Sequence, residues 1–123
     1  MKKFFILVTV LSLLSIGAPA LASDNFALIE KKCEVQWPND YEMQGYCINM
    51  QAKAASNLQS KYRSYMSSIP KNPTSLDDFT TEQIIILNCM GKWMNEGIDF
   101  DYTMWEYCID NQFKAARKLG KIK

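Results

Sequence analysis

Four cysteines, Cys33, Cys47, Cys89 and Cys108, are the side chains of this 123-residue sequence with the widest choice of chemistry. Thiols can close disulfides, hold zinc or act as nucleophiles. The sequence contains no histidine, which removes the usual base for a cysteine nucleophile and a principal zinc ligand. The cysteine spacings are long, whereas zinc sites usually carry close CxxC-type pairs. An even set of this kind reads as two disulfides. Asp40 and Asp101 are a candidate pair of carboxylates for hydrolysis, as in glycoside cleavage. Each opens a helical pattern, however, where a carboxylate accepts backbone N–H bonds and meets the positive end of the helix dipole. No G-x-S-x-G, P-loop or dinucleotide fingerprint is present. The expectation is a protein that is not an enzyme, with no cofactor and no metal.

The positions of these residues follow a repeat. Cys33 and Trp37, then Asp40, Tyr41, Met43, Tyr46, Cys47, Ile48 and Gln51, recur as Cys89 and Trp93, then Asp101, Tyr102, Met104, Tyr107, Cys108, Ile109 and Gln112. The match continues through Lys53-Ala54-Ala55 and Leu58 against Lys114-Ala115-Ala116 and Leu119. One supersecondary unit is used twice. Four cysteines allow three pairings. The repeat favours Cys33–Cys47 with Cys89–Cys108, each within its own unit; exchange between units, Cys33–Cys89 with Cys47–Cys108, is the alternative. A closed loop of about 15 residues contributes roughly 3 kcal/mol in the chain-entropy model.

The pattern W-x-x-D-Y-x-M-x-x-Y-C-x-x-x-Q, made by Trp37, Asp40, Tyr41, Met43, Tyr46, Cys47 and Gln51, resembles a motif of uncharacterised small exported bacterial proteins. The second copy fits it from Asp101 onward, because a longer bend displaces Trp93. The resemblance implies an exported helical hairpin and carries no activity with it.

Helices must position these residues. Phe26, Ile29, Cys33 and Trp37 step by three and four, so Asp24 to Trp37 reads as a helix ended by Pro38. A second helix starts at Asn39 or Asp40 and carries Met43, Tyr46, Cys47, Met50, Ala54, Leu58 and Tyr62 as far as Ser67 or Ile69. So short a connection makes the pair an antiparallel hairpin. Pro70 and Pro73 mark a linker. Thr80 and Gln83 have capping-box spacing for a third helix through Cys89 and Trp93, and a fourth runs from Asp101 to Leu119. The fold expected is all-α: two tandem disulfide-stapled αα-hairpins packed as a four-helix domain with a pseudo-twofold relation. Repeat 1 covers 24–67, the linker 68–79 and repeat 2 80–120. Both tryptophans and the tyrosines and methionines of the motif are expected in the core. Gln51 and Gln112 are expected to bond the carbonyls of their own bends.

The N-terminus reads as a secretory signal. Met1-Lys2-Lys3, an apolar run from Phe4 to Leu14 and the Ala20-x-Ala22 exit predict a signal peptide over 1–22. The apolar run is shorter than the roughly 20 residues of a membrane span. The destination expected is the periplasm or the outside. Loss of Lys2 and Lys3 leaves 12 basic against 13 acidic side chains, a balance that gives no support for nucleic-acid binding. By elimination, the expected function is binding of another envelope or secreted protein, as an inhibitor, an immunity or exclusion factor, or an envelope accessory protein. Candidate contacts are Trp105, which replaces Gln44 of the first copy, and Glu96, Asp99 and Phe100 in the longer second bend. The alternatives are a carrier of a small apolar ligand between the hairpins and a hydrolase using Asp40 and Asp101.

Overall fold

Caps and breakers in the sequence set where each helix begins and ends. The computed structural model describes residues 17–123, with side chains from residue 25 onward, so most of the expected signal peptide lies outside the described residues. Four α-helices follow in order: α1 (Gly17–Gln36), α2 (Tyr41–Ser67), α3 (Thr81–Trp93) and α4 (Tyr102–Lys118). Helix α1 begins seven residues before the expected Asp24; Ala18, Ala20, Leu21 and Ala22 favour helix, and Pro19 falls in the first turn, where proline is tolerated. Asp40 caps α2 by accepting the Met43 amide at 3.0 Å, and Asp101 caps α4 by accepting the Met104 amide at 3.2 Å. Thr80 and Gln83 form the expected capping box of α3. Between α1 and α2 the chain turns through Asn39 at φ 63°, a left-handed conformation that asparagine tolerates better than most residues.

The all-α reading holds, and so does the pairing of cysteines within units. Cys33–Cys47 staples α1 to α2 and Cys89–Cys108 staples α3 to α4, with Cα atoms 5.7 and 5.8 Å apart, ordinary disulfide separations. Among the described residues no strand forms, and Met94 and Phe100 make one isolated antiparallel bridge.

The relation between the hairpins differs from the pseudo-twofold expected. Helices α2 and α4 lie side by side and run parallel, joined by Gln51–Asp101, Asn57–Glu106 and Lys61–Asp110. These pairs are 50, 49 and 49 residues apart, whereas equivalent repeat positions such as Cys47 and Cys108 are 61 apart. The second hairpin is therefore advanced along α2 by about eleven residues, roughly 16 Å at 1.5 Å per residue. The stagger follows from the length of α2, whose C-terminal half extends past α1. There Leu58 and Tyr62 join Ile86, Cys89, Trp105, Ile109 and Phe113 in the larger core cluster. Tyr62 and Tyr65 meet the Phe113 ring edge-to-face at 5.1 and 5.7 Å.

A second, smaller cluster fills the first hairpin: Ile29, Cys33, Cys47 and Phe100. Among the described residues, helix α1 packs on α2 and on no other helix, so repeat 2 reaches it through Phe100. The two clusters share Met94 and Tyr102 at their edges. At the far end, buried Gln83 donates to the Tyr65 carbonyl and to Ser68 Oγ, both at 3.1 Å. That fastens the start of α3 to the end of α2 and closes the proline linker. Within the linker, Leu76–Asp78 forms one 3-10 turn. The Asp78 carboxylate accepts the Thr74 and Ser75 amides, which hold its pKa below the usual value.

Candidate functional site

The two bends share a local plan and differ by an insertion. In each, the aspartate amide donates to the tryptophan carbonyl: Asp40 to Trp37 at 3.3 Å and Asp101 to Trp93 at 2.7 Å. The second bend adds a small loop between these partners. Asn95 donates to the Asp99 carbonyl at 3.0 Å, and Gly97 takes φ +67°, which a glycine adopts without steric cost. The loop delivers Phe100 into the first hairpin, where it is 6% exposed beneath the Lys32 ammonium, 5.4 Å from the ring centroid. Phe100, expected as a partner contact, is therefore an internal fastener. Glu96 and Asp99 stay exposed at the tip of the loop.

Trp105 is corrected likewise. It is 9% exposed, and its indole N–H donates to the Ile86 carbonyl at 3.2 Å. The C-terminal half of α2 covers the face of α4 on which it lies. In the first copy, among the described residues, nothing equivalent covers Gln44, whose side-chain amide donates to the Trp37 carbonyl at 2.8 Å.

The glutamines do not act as a pair. Gln51 is buried and bridges the repeats: its Nε2 donates to Asp101 at 3.0 Å and its Oε1 accepts the Tyr102 amide at 2.8 Å. Gln112 is exposed. Stagger explains the contrast, because repeat 2 docks on Gln51 and, among the described residues, nothing docks on Gln112. Burial works to raise the Asp101 pKa. Hydrogen bonds from Thr103, Gln51 and the Met104 amide, with the charge of Lys32, outweigh it and hold the carboxyl below its ordinary range.

Asp40 and Asp101 each serve their own helix. The carboxylates that the fold does bring together are Glu106 and Asp110, one turn apart on α4, and sequence spacing alone gave them no partner. Lys61 of α2 lies between them, 2.9 Å from Glu106 and 2.8 Å from Asp110. Partial burial works to lower the Lys61 pKa, but the hydrogen bonds and charges of Asp110 and Glu106 raise it on balance. The Tyr62 hydroxyl donates to Asp110, and burial followed by that bond pushes its pKa up. The cluster fixes the parallel register of α2 and α4. Among the described residues no group of three or more histidine, cysteine or acidic side chains stands together as metal ligands. No described helix is long and apolar enough to cross a membrane.

Three motif tyrosines expected in the core are on the surface. Tyr46 is 61% exposed, Tyr107 64% and Tyr41 79%. Tyr102, the second-copy equivalent of Tyr41, is half-buried against Phe100 and Trp105, and burial raises its pKa. Tyr107 lines an open groove of about 330 Å³ between α2 and α4, with Met50, Lys53, Asn57, Thr103 and Glu106. Met50 is also exposed, and Tyr46 continues its stripe one turn earlier on α2. This face combines aromatic and flexible apolar side chains with a charged rim. It lies on two helices held rigid by the disulfides and by the Lys61 cluster. Compared with known proteins, the chain matches no family model, no curated protein and no solved structure.

Proposed function

We propose that the chain is an exported, periplasmic or secreted protein that binds another envelope or secreted protein and catalyses no reaction itself. The role is that of an inhibitor, an immunity or exclusion factor, or an envelope accessory protein. The observation that carries this reading is the exposure of Tyr46, Met50 and Tyr107 along α2 and α4, each stapled to the other helix of its own hairpin. Tyrosine and methionine in that setting are typical anchors of protein interfaces. The disulfides support export, since such bonds form and persist in oxidising compartments. The space between the hairpins, where a carried apolar ligand would sit, holds Leu58, Tyr62, Ile109 and Phe113 packed together, which favours recognition at the surface.

Site-specific photocrosslinking in the native host tests this. A benzophenone side chain at Tyr107 is expected to capture one envelope or secreted protein that the same group at Gln59, an exposed position outside the groove, does not capture. Equal labelling from both positions, or none from Tyr107, contradicts the proposal.

A further inference from the structure

Among the described residues, nothing fills in the second hairpin the place that a segment of repeat 2 fills in the first. In the first hairpin, Ile29, Lys32, Cys33, Cys47 and Gln51 receive the segment Phe100-Asp101-Tyr102. The ring is buried with Ile29 and the Cys33–Cys47 bridge, Lys32 lies over it, and Gln51 bonds both the Asp101 carboxylate and the Tyr102 amide. The repeat maps these five positions onto Ile85, Asn88, Cys89, Cys108 and Gln112. Those five, together with Lys92, line an open cleft of about 310 Å³ beside the second disulfide. The cleft thus has the walls of an aromatic-receiving site, and Gln112 at its edge is exposed. The charge of Lys32 acts on Asp101 in the filled site; in the second hairpin Asn88 takes that position, and the cleft has its positive charge at Lys92, where the first hairpin has Gln36. The first bend of another copy fits poorly, because Asn39 stands where an aromatic ring is required.

We infer that this cleft binds a segment of a partner protein in which an aromatic residue is followed by aspartate or glutamate at the start of a helix. The ring enters between Ile85 and the Cys89–Cys108 bridge. The carboxylate accepts from the Gln112 side-chain amide and faces the Lys92 ammonium, while the Gln112 carbonyl accepts the next backbone amide. The site goes beyond the Tyr107 face, since Cys108 is turned about 100° from Tyr107 around α4, and variants separate the two.

The chain supplies its own probe, a synthetic peptide with the sequence of residues 96–106, titrated into the isotopically labelled protein. Saturable NMR shifts are expected at the side-chain amides of Asn88 and Gln112, and a peptide with Phe100→Ala should give none. Gln112→Ala and Lys92→Glu in the protein are each expected to weaken binding about tenfold, with an unchanged thermal midpoint because both residues are exposed. Tyr107→Ala should leave the affinity as it was. The inference is overturned if no saturable shift occurs, if the shifts fall at Lys32 and Gln51 instead, or if the Phe100→Ala peptide binds equally well. Binding of p-cresol as tightly as the peptide would make the cleft a small-molecule site. Concentration-dependent shifts at Gln112 without peptide would make a second copy the occupant. Either result also overturns it.

Discussion

Replacing the same motif aspartate in the two copies has unequal consequences. Asp40 accepts the Met43 amide and sits at an exposed bend, so Asp40→Ala removes a helix cap, worth about 1 kcal/mol. Asp101 caps α4 in the same way and also accepts from Gln51, a side chain only 5% exposed. Asp101→Ala therefore loses the cap and leaves the buried Gln51 Nε2 without its acceptor, an unsatisfied group costing about 1–3 kcal/mol. The expected losses are about 1 kcal/mol for Asp40→Ala and about 2–4 kcal/mol for Asp101→Ala. In a domain of this size the thermal midpoint falls by roughly 4–8 °C per kcal/mol. Urea unfolding followed by circular dichroism measures both, and a double-mutant cycle with Gln51→Ala should return a coupling above about 0.5 kcal/mol. Equal losses at the two aspartates, or no coupling to Gln51, would refute the inter-repeat role of this bridge.

Acid should act through the same residue. The folded pKa of Asp101 is held below its reference value of 3.8, so the stability it contributes is present above that value and is lost as pH falls through the folded value. Urea midpoints taken from about pH 5 downward should fall below pH 3.8, and Asp101→Asn should flatten that fall. Replacing either cysteine pair by alanine is expected to cost about 3 kcal/mol in the loop-entropy model, read from urea unfolding. Trp105→Ala should cost about 3–5 kcal/mol as a core truncation, whereas Tyr107→Ala one turn-face away should stay within about 0.5 kcal/mol. Reversal of that order would place the covered face of α4 wrongly.

Local signals carried the elements, and relations between the repeats escaped them. Asp40, Asp101 and the Thr80–Gln83 box mark helix starts by chemistry that acts within one turn, so they were legible. The disulfide pairing was legible because a repeated spacing implies a repeated solution. The stagger was not, since it depends on how far α2 extends past its own hairpin. That one unknown decides which face of each copy is covered. It moves Trp105 inward, spends Phe100 on the first hairpin, buries Gln51 and exposes Gln112. Tyr46 and Tyr107 were misplaced for a related reason. Each adjoins a stapled cysteine, and one residue along a helix turns a side chain by about 100°, far enough here to leave the core. Differences between the copies do not mark the exposed face: Phe100 and Trp105 are internal, and the exposed Tyr46 and Tyr107 are features the copies share.

The Tyr46–Met50–Tyr107 face is proposed to bind a protein. The most direct measurement is the affinity of Tyr46→Ala/Tyr107→Ala for the protein captured at Tyr107, with the thermal midpoint recorded beside it. Binding is expected to weaken at least about thirtyfold, the loss of one interface anchor worth about 2 kcal/mol, with a midpoint close to that of the parent protein. Unchanged affinity in the well-folded variant would contradict it.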